Sequence, residues 1–314
     1  MKPLIRLGTC DMWGGYDEKT WGFIDLLRTR VDIELCDKPD FLIYSVFGDQ
    51  HYRHNCVRIL YSGENRRPNW NECDYAFTFD HTNHPDHFRW PLYGQYDDCS
   101  KLVKGKQDVE EILRSKTKFC NFIFSNRKCP LRNRFFDLLS KYKQVDAGGK
   151  VRNNLGFCVQ NKRSFIADYK FTIAFENSSH PGYTTEKLSE PMWENSLPIY
   201  WGNPLVHLDF NTKSFLNFAD YGSLEALVER VIEVDQNDEL YLEYLRQPWF
   251  NENRVPECVK LENVLDQFER IFTTPRVPVA VRKPRYRTWK SRWRSLTKWR
   301  PWQNSGSSTS RKAA

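Results

Sequence analysis

Short apolar runs rich in β-branched and aromatic residues alternate with helix-forming segments, and this alternation restricts the fold more than any other feature. Buried strands are predicted at 41–47 (FLIYSVF), 57–61, 75–79, 119–125, 171–175 and 197–201. Helices are predicted at 131–142, 185–194, 224–234 and 261–272. Because strands that alternate with helices form parallel sheets with helices on their faces, the chain is predicted to be an α/β protein.

The predicted strands fall into two sets, which are separated by a polar and charged stretch at 100–118. A chain of 314 residues is long enough for two domains of ordinary size, each with its own core. The predicted organisation is an N-terminal α/β domain at 1–117, a second α/β domain at 118–260, a closing helix at 261–275 and a basic tail at 276–314.

The positive charge of the chain is concentrated at its C-terminal end. The net charge is +7, from 47 Lys and Arg against 40 Asp and Glu. Twelve of the Lys and Arg, and no Asp or Glu, lie after residue 275, so the rest of the chain carries a net charge of −5. A mildly acidic body argues against nucleic acid as its partner, because the phosphate backbone attracts basic surfaces.

Cysteine usage and the N-terminal residues bear on the cellular compartment. The nine cysteines are odd in number and no two of them have CxxC spacing, so a zinc site is not favoured. The N-terminal sequence MKPLIRLGTCDMWGG lacks an apolar run long enough for a signal peptide or a membrane span. We therefore expect a cytoplasmic protein with free thiols.

The segment FENSSHPGYTTEK, residues 175–187, follows a predicted strand and carries the strongest chemical signal. Ligands of parallel sheets bind outside the carboxyl ends of strands, and Gly182 lets the backbone approach a ligand closely. A helix that begins near Thr185 would offer free N–H groups to a diphosphate, with Lys187 adding charge and Glu186 accepting hydrogen bonds from a ribose diol. The alternative is an ordinary helix capped by a threonine, whose first side chains face solvent.

A second polar cluster, SNRKCPLRN, follows the predicted strand at 119–125. Ser125 and Asn126 lie at the end of that strand, and a proline after them is well suited to begin a helix. Arg132 in the first turn of the helix could bind phosphate oxygens through its planar guanidinium. Arg152, in the glycine-rich turn DAGGKVRNN, is a further phosphate candidate. The alternative is that Arg132 is a surface arginine.

A third cluster, SGENRRPNW, follows the predicted strand at 57–61 and contains Glu64. A carboxylate at a strand end in the first domain could face the second domain and take the proton from an attacking hydroxyl. The adjacent Arg66 and Arg67 favour the ionised form of a carboxylate and so weaken it as a base. The alternative is a loop glutamate that pairs with those arginines.

Two patterns near the first domain bear on metal binding. His81, His84 and His87 recur every three residues, but a proline interrupts the loop, so the rings would not share one face. A metal site is therefore not favoured for this loop. No Asp-x-Asp triplet occurs anywhere in the chain, which argues against a diphosphate held by a metal ion.

The C-terminal sequence RYRTWKSRWRSLTKWRPW interleaves tryptophans with basic residues. In a helix, the apolar side would hold Trp289, Trp293, Leu296 and Trp299, and the basic side would hold Lys290, Arg294 and Lys298. Such a helix is typical of binding in the plane of an anionic membrane surface. The alternatives are a solvated basic tail and a nucleic-acid contact. We expect a peripheral protein on the inner face of the cytoplasmic membrane.

Several motifs, in the same order and with similar spacing, resemble the bacterial α-1,3/4-fucosyltransferases of glycosyltransferase family 10. They are YSGENRRPNWNECDYAFTFD, RWPLYG, SNRKCPLRNRFFDLLSKY, GGKVRNNLG, FENSSHPGYTTEK, LPIYWGNP and KSFLNF, and they span about residues 40–218. The resemblance implies the GT-B fold, in which two Rossmann-like domains face each other across a cleft. It also implies transfer of L-fucose with inversion from GDP-β-L-fucose to a GlcNAc hydroxyl, foremost α-1,3, of an N-acetyllactosamine-type surface glycan.

The resemblance also implies roles for individual residues. Glu64 would be the general base, Arg132 and Lys187 would stabilise the GDP leaving group, and Glu186 would contact the ribose. The remaining donor-site candidates are Ser125, Asn126, Arg152, Asn177 and Tyr183. The acceptor-side candidates are Asn65 and His84. No metal is expected to be required, with Mg²⁺ or Mn²⁺ acting at most as a stimulant. The alternatives are a GT-B transferase of another nucleotide sugar, such as GDP-mannose or ADP-heptose, and a non-catalytic glycan-binding relative.

Overall fold

The computed structural model describes residues 2–283, and its first half is built on a parallel sheet of six strands. The strand order is β2-β1-β3-β4-β5-β6, and every neighbouring pair is parallel. The strands are β1 (Leu4–Cys10), β2 (Asp32–Leu35), β3 (Phe41–Tyr44), β4 (Val57–Tyr61), β5 (Tyr75–Thr78) and β6 (His87–Arg89). All side chains of β3 beyond Phe41, and all of β4 and β5, are buried, as expected for strands covered on both faces.

The second half is built on a parallel sheet of five strands. Its order is β11-β10-β9-β7-β8, with β9 at the centre. The strands are β7 (Lys118–Phe122), β8 (Val145–Ala147), β9 (Tyr169–Phe175), β10 (Leu197–Trp201) and β11 (Leu216–Asn217). Because all the strands run in the same direction, the polar loops that follow β7 and β9 lie at one edge of this sheet.

Helices cover the faces of both sheets. Their bounds are α1 (Gly22–Arg28), α2 (Val109–Ser115), α3 (Pro130–Leu139), α4 (Lys162–Ile166), α5 (Glu186–Trp193), α6 (Leu224–Gln236), α7 (Asp238–Arg246), α8 (Leu261–Thr273) and α9 (Val279–Arg282). Side chains cap several of their N-termini, as Ser223 does by accepting from the backbone N–H of Ala226. Within residues 2–283, no helix is long and apolar enough to cross a membrane.

The predicted α/β architecture with two parallel sheets is confirmed. Each of the six predicted strands is present, and the bounds of β4 and β10 agree with the prediction. The sequence analysis did not identify β1, because polar Arg6 and Thr9 interrupt its apolar run. The predicted connector at 100–118 holds the short helix α2, which packs against α7, and the second sheet begins directly after it at Lys118.

The chain returns to the first sheet after completing the second. On α8, the ring of Phe268 stacks on Phe77 of β5 at 4.1 Å between centroids and meets Phe23 of α1 edge-on. Residues 276–283 follow it onto the same sheet. The guanidinium of Arg276 forms two hydrogen bonds with the carboxylate of Asp86, at 2.6 and 2.7 Å. The predicted tail therefore begins as part of the folded body, and the tryptophans of its predicted helix lie outside the described residues.

The two halves contact each other directly through polar and backbone groups. Arg89 of β6 forms two hydrogen bonds with the carboxylate of Asp209 in the second half, at 3.0 and 2.5 Å. Gly182 approaches Phe79 so closely that a Cβ on this glycine would lie 2.3 Å from the Phe79 carbonyl oxygen. Its φ of +84° also lies in the left-handed region that glycine adopts readily.

Candidate active site

The loop after β9 is organised by a buried carboxylate that the sequence analysis did not single out. Glu176 is fully buried directly after the strand, and it accepts hydrogen bonds from the backbone N–H of Thr185 at 2.7 Å and from its hydroxyl at 2.8 Å. Gly202 leaves room for it, since a Cβ on this glycine would lie 2.4 Å from Glu176 Cγ. Glu176 therefore ties the end of β9 to the start of α5.

Lys187 lies in the first turn of α5 between two carboxylates. Its ammonium is 3.3 Å from Glu176 Oε2 and 3.2 Å from Glu186 Oε1, and it donates to the hydroxyl of Thr185 at 2.9 Å. Burial disfavours the charged amine, but the carboxylates of Glu176 and Glu186 outweigh it and raise the pKa of Lys187 above its ordinary value. Lys187 therefore stays positively charged at the edge of the sheet.

Glu186 stays ionised in this cluster despite its burial. Burial acts to raise its pKa, but the positive charges of Lys187 and Lys162 outweigh it and hold the pKa of Glu186 below its ordinary value. The alternative of a capped helix is correct in one respect, because the hydroxyl of Thr185 caps α5. The following side chains do not face solvent, however, since Glu186 is 16% and Lys187 14% exposed.

Arg132 is fully buried in the first turn of α3, so it is not a surface arginine. Its guanidinium donates to the carbonyls of Phe175 and Asn126 at 3.2 and 2.6 Å, and to Asn177 Oδ1 at 3.0 Å. The guanidinium also packs over the ring of Phe124 at 3.9 Å. Arg132 thus joins the loops after β7 and β9 and brings Asn126 and Asn177 together.

Asn203 fixes the remaining part of the loop. Its Oδ1 accepts from the backbone N–H of Gly182 at 2.7 Å, and its Nδ2 donates to the hydroxyl of Thr184 at 3.0 Å. Tyr183 is buried, and its ring packs on Phe79 of the first half at 5.0 Å. The sequence analysis placed Asn203 in the LPIYWGNP motif without giving it a role, since a backbone contact across 21 residues leaves no local signal.

The other predicted donor residues are less closely connected to this cluster. Ser125 and Asn126 are exposed in the loop after β7, where Asn126 Oδ1 accepts from the backbone N–H of Lys128. Arg152 adopts a left-handed backbone, with φ +57°, and its guanidinium pairs with Asp137 at 2.6 Å near the surface. The role of Arg152 as a phosphate ligand stays a prediction.

Glu64 follows β4 and is exposed. The guanidinium of Arg67 pairs with Asp80 at 2.9 Å and donates to Asn65 Oδ1, so it is engaged elsewhere. Across residues 2–283, neither Arg66 nor Arg67 forms an ion pair with Glu64, and the carboxylate of Glu64 makes no hydrogen bond. The alternative of a loop glutamate paired with its neighbouring arginines is therefore wrong.

One hydrogen bond joins the Glu64 loop to the loop after β9. Asn65 Nδ2 donates to the hydroxyl of Ser178 at 2.7 Å, across the boundary between the two halves. The hydroxyl of Tyr96 interacts electrostatically with Glu64 and with Glu186. Burial raises the pKa of its hydroxyl, and among the nearby charges the carboxylates of Glu186 and Glu64 also raise it. The loop of the predicted base and the loop of the predicted diphosphate site therefore adjoin each other.

A cavity of about 480 Å³ lies beside Glu64 on the side of the first sheet. Its lining is rich in aromatic side chains, namely Trp13, Trp21, Phe47, Tyr61 and Tyr96. Trp13, Phe47 and Tyr96 are 38%, 52% and 59% exposed, although large aromatic groups are usually buried. A cavity of this size with an aromatic lining and one carboxylate is suited to a small neutral ligand with apolar faces.

The histidine loop lies away from this cavity. The ring of His84 stacks on Trp70 at 3.6 Å, and His84 does not line the cavity beside Glu64. His87 bonds with the hydroxyl of Thr78 at 2.9 Å, and burial lowers its pKa to about 4. Among the described residues, no group of three or more His, Cys, Asp or Glu is arranged to hold a metal ion.

Family profiles match almost the whole described part of the chain. Residues 7–96 match the alpha-(1,3)-fucosyltransferase FucT N-terminal domain, and residues 113–273 match the glycosyltransferase family 10 (fucosyltransferase) C-terminal region. The first match ends at Tyr96 and the second begins within α2, so each match covers one of the two parallel sheets, apart from the first three residues of β1.

Curated relatives and solved structures give the same family. The chain is 32% identical to the alpha-(1,3)-fucosyltransferase FucT of Helicobacter pylori over 77% of its own length and 60% of the relative's. It is 33% identical to 3-galactosyl-N-acetylglucosaminide 4-alpha-L-fucosyltransferase FUT3 of Bos taurus over 45% of this chain and 40% of that protein. The chain thus spans less than two thirds of the length of these curated relatives.

Crystal structures of an alpha1,3-fucosyltransferase have the same fold. One superposes with a TM-score of 0.75 at 28% identity, covering 88% of this chain and 92% of that one. Another, titled as a complex with GDP-fucose, superposes with a TM-score of 0.72 at 27% identity, covering 88% and 93% of the two chains. The GT-B arrangement of the two halves, expected from the motifs, is confirmed.

Proposed function

The chain belongs to glycosyltransferase family 10, the fucosyltransferases, and we propose that it is an inverting α-1,3-fucosyltransferase. Its donor is GDP-β-L-fucose, and its acceptor is a GlcNAc hydroxyl of an N-acetyllactosamine-type glycan. The observation that carries this proposal is the two-sided cleft, with the Lys187 cluster on one side and the carboxylate of Glu64, which has no partner among residues 2–283, on the other. The hydrogen bond from Asn65 to Ser178 joins those two sides.

The second half of the molecule provides a site for the GDP moiety. The expectation of free backbone N–H groups at the start of α5 is wrong, because the N–H groups of Lys187 and Leu188 bond to Thr185. The first turn of α5 offers a diphosphate the positive end of the helix dipole. Lys187 adds a permanent charge there, and Glu186 is the ionised acceptor for the ribose hydroxyls. Arg132 adds a buried positive charge below the loops, and its Nε has no hydrogen-bond partner within residues 2–283. A similar crystal structure is titled as a complex with GDP-fucose, which supports this donor.

The proposed reaction is a single displacement at the anomeric carbon of fucose. The acceptor hydroxyl oxygen forms a bond with that carbon while the bond to the β-phosphate oxygen breaks, so the configuration changes from β to α. The proton of the hydroxyl passes to the carboxylate of Glu64. The electron pair of the broken bond leaves with GDP, whose added negative charge is stabilised by Lys187, Arg132 and the start of α5.

A panel of nucleotide sugars tests the donor and separates the alternatives. The protein is incubated with N-acetyllactosamine and, in turn, GDP-fucose, GDP-mannose and ADP-heptose, and the product is analysed by mass spectrometry and NMR. We expect transfer from GDP-fucose, with an α-linked fucose on the 3-hydroxyl of GlcNAc. Transfer only from another donor supports the second nucleotide-sugar alternative, and glycan binding without transfer supports a non-catalytic relative.

The proposed mechanism uses no metal ion. Lys187, Arg132 and the helix terminus supply the positive charge that a divalent cation supplies in metal-dependent transferases. The initial rate should therefore persist in excess EDTA, with Mg²⁺ or Mn²⁺ raising it at most modestly. Complete loss of transfer in EDTA, with recovery on addition of Mn²⁺, would show that the mechanism is incomplete.

The proposed location is the inner face of the cytoplasmic membrane, bound through the basic segment after Lys283. Residues 276–283 belong to the folded body, so the informative truncation ends at Lys283 and retains the contacts of Arg276 with Asp86. The full chain should sediment with vesicles of anionic lipid, and the truncated chain should not, while both fucosylate a soluble acceptor. Equal sedimentation of the two chains would show that the segment after Lys283 does not bind the membrane.

A further inference from the structure

The cavity beside Glu64 adjoins a second cavity. We call the first, bounded by Glu64, Trp13 and Phe47, the proximal cavity, and its volume is about 480 Å³. The distal cavity has a volume of about 660 Å³ and is bounded by Leu26, Ser100 and Leu261. The two cavities share a wall, made by Trp21, Tyr61, Gln95 and Tyr96.

The shared wall has the surface chemistry of a carbohydrate site. Trp21 meets Tyr61 edge-on at 5.3 Å between ring centroids, so the two rings support each other. Tyr96 remains 59% exposed beside them. The faces of aromatic rings pack against the C–H faces of pyranose rings, while the hydroxyls at the rim of each sugar need polar partners.

Gln95 provides an unpartnered polar atom in that wall. Its Nε2 donates to the carbonyl of Trp90 at 2.6 Å, but its Oε1 is buried and has no hydrogen-bond partner within residues 2–283. A buried acceptor without a partner costs free energy. A sugar hydroxyl in either cavity would satisfy it after a small rotation of the amide.

The distal cavity also exposes apolar side chains that the fold leaves uncovered. Leu261 begins α8 and is 42% exposed, and Leu26 of α1 is 36% exposed. Helix α1 packs against β2 and α8, and α8 contacts β5 through Phe268 and Phe77, so this end of the groove is formed by elements far apart in the sequence. Each cavity falls in the range of about 300–1,000 Å³ typical of small-ligand sites, so one acceptor sugar beside Glu64 does not fill both.

We propose that the proximal and distal cavities form one groove for an oligosaccharide acceptor, with the fucosylated sugar beside Glu64 and the unreacted sugars in the distal cavity. This inference rests on the proposed function and extends it, because it makes acceptor length a determinant of catalytic efficiency. The outer wall of the distal cavity acts on binding and not on the chemical step, since Leu26 and Leu261 lie on α1 and α8 and not on the segments that pack against α5.

The test compares a disaccharide acceptor with a tetra- and a hexasaccharide of the same repeating unit, for the full chain and for Leu261→Asp. Position 261 begins a helix, where an acidic residue is favourable, so this variant should fold. In the wild type, kcat/KM should rise with acceptor length. For the variant, kcat/KM with the hexasaccharide should be about tenfold lower than in the wild type. With the disaccharide it should stay within about twofold of the wild-type value.

Two further variants test whether the effect of Leu261→Asp is specific to the distal cavity. Leu26→Gln, on the other wall of the distal cavity, should show the same selective loss. Leu208→Asp is the matched control, because Leu208 is 51% exposed and lines neither cavity. Equal efficiency for all acceptor lengths in the wild type would overturn the proposal. So would equal losses on the disaccharide and the hexasaccharide in both cavity variants.

Two controls are needed. One tests the groove independently of the proposed fucose transfer, and the other tests whether the segment after Lys283 occupies the groove instead of the acceptor. Calorimetric titration with the hexasaccharide in the presence of GDP needs no turnover, so it tests the groove even if no fucose is transferred. Absence of transfer to any acceptor would refute the proposed function. The calorimetric titration would then decide by itself whether the groove binds the hexasaccharide. If the chain ending at Lys283 binds the hexasaccharide and the full chain does not, the segment after Lys283 occupies the groove and the proposal fails.

Discussion

The proposed donor side and the proposed acceptor side of the cleft are built on opposite physical principles. On the donor side, Glu176 and Arg132 are fully buried, and Lys187 is held between Glu176 and Glu186. On the acceptor side, the carboxylate of Glu64 makes no hydrogen bond within residues 2–283, and the neighbouring aromatic rings are substantially exposed.

The difference follows from what each side must bind. A diphosphate needs positive charges and N–H groups already in place, since reorienting dipoles during the reaction would cost activation free energy. A sugar acceptor is neutral and has apolar faces, so an exposed aromatic surface with one accessible base suffices. Substitutions on the donor side should therefore change both GDP binding and catalysis, whereas substitutions on the acceptor side should separate them.

The largest expected effect comes from Glu64→Gln, which keeps the shape of the side chain and removes its basicity. We expect kcat for fucose transfer to fall by about 10²- to 10⁴-fold, because the acceptor hydroxyl loses its proton acceptor. The affinity for GDP, measured by calorimetry, should stay unchanged. Glu243→Gln, at an exposed position of α7, is the matched control and should keep full activity. A parallel loss of GDP affinity in Glu64→Gln would place this residue on the donor side.

The second expected effect comes from Lys187→Met, which removes the charge between Glu176 and Glu186. The rate of transfer should fall by about 10²-fold, because the leaving GDP loses one stabilising charge, and GDP should bind more weakly. Steady-state kinetics and calorimetry measure the two effects. Lys106→Met removes an exposed lysine and should change neither. Unchanged GDP affinity in Lys187→Met would contradict the division between the two sides.

A third, smaller effect tests how closely the two sides approach each other. Gly182→Ala introduces a Cβ that would lie 2.3 Å from the Phe79 carbonyl oxygen, so it should lower the free energy of unfolding by about 1–3 kcal/mol. Gly156→Ala is the matched control, since Gly156 also has a positive φ, +77°, but no atom lies within 4 Å of its Cβ position. Its cost should be only backbone strain, about 1 kcal/mol. Equal costs in chemical denaturation would show that Phe79 moves aside freely.

The smallest expected effect concerns pH and the acceptor-side sheet. Burial lowers the pKa of His87 from 6.5 to about 4, although Asp80 acts in the opposite direction. Between these pH values the unfolded chain binds a proton that the folded chain does not, so His87 makes stability fall as pH decreases from about 6.5 to about 4. Thermal unfolding of His87→Gln should show a flatter pH dependence in this window. His207→Gln, at an exposed position, should follow the wild type.

The fold was largely predictable because the buried strands are apolar runs. Strands β4 and β10 agree with their predicted bounds, since parallel strands covered on both faces need continuous apolar residues. The edge strand β6, with the sequence HFR, could not be recognised in this way, because it is three residues long and half-buried. It is defined by pairing with β5 and by the contact of Arg89 with Asp209.

The candidate site was predictable where its residues lie close together in the sequence. The motif at 175–187 contains Asn177, Glu186 and Lys187, and the structure places them together, with Arg132 beneath. Arg152 has the same residue type and a glycine-rich context, yet its guanidinium pairs with Asp137. Residue type alone could not distinguish the two arginines, because the distinction depends on which loops meet.

The sequence by itself determined the α/β architecture and the family, since these depend on local periodicity and on contiguous motifs. The tertiary structure alone decided that Glu176 is the buried partner of Lys187, that Asn203 holds Gly182 and that Glu64 is free of its neighbouring arginines. It also assembled the aromatic groove from residues as distant as Trp21, Tyr96 and Leu261. The physical reason is that desolvation and charge pairing depend on distances in space, which the spacing of residues along the chain does not encode.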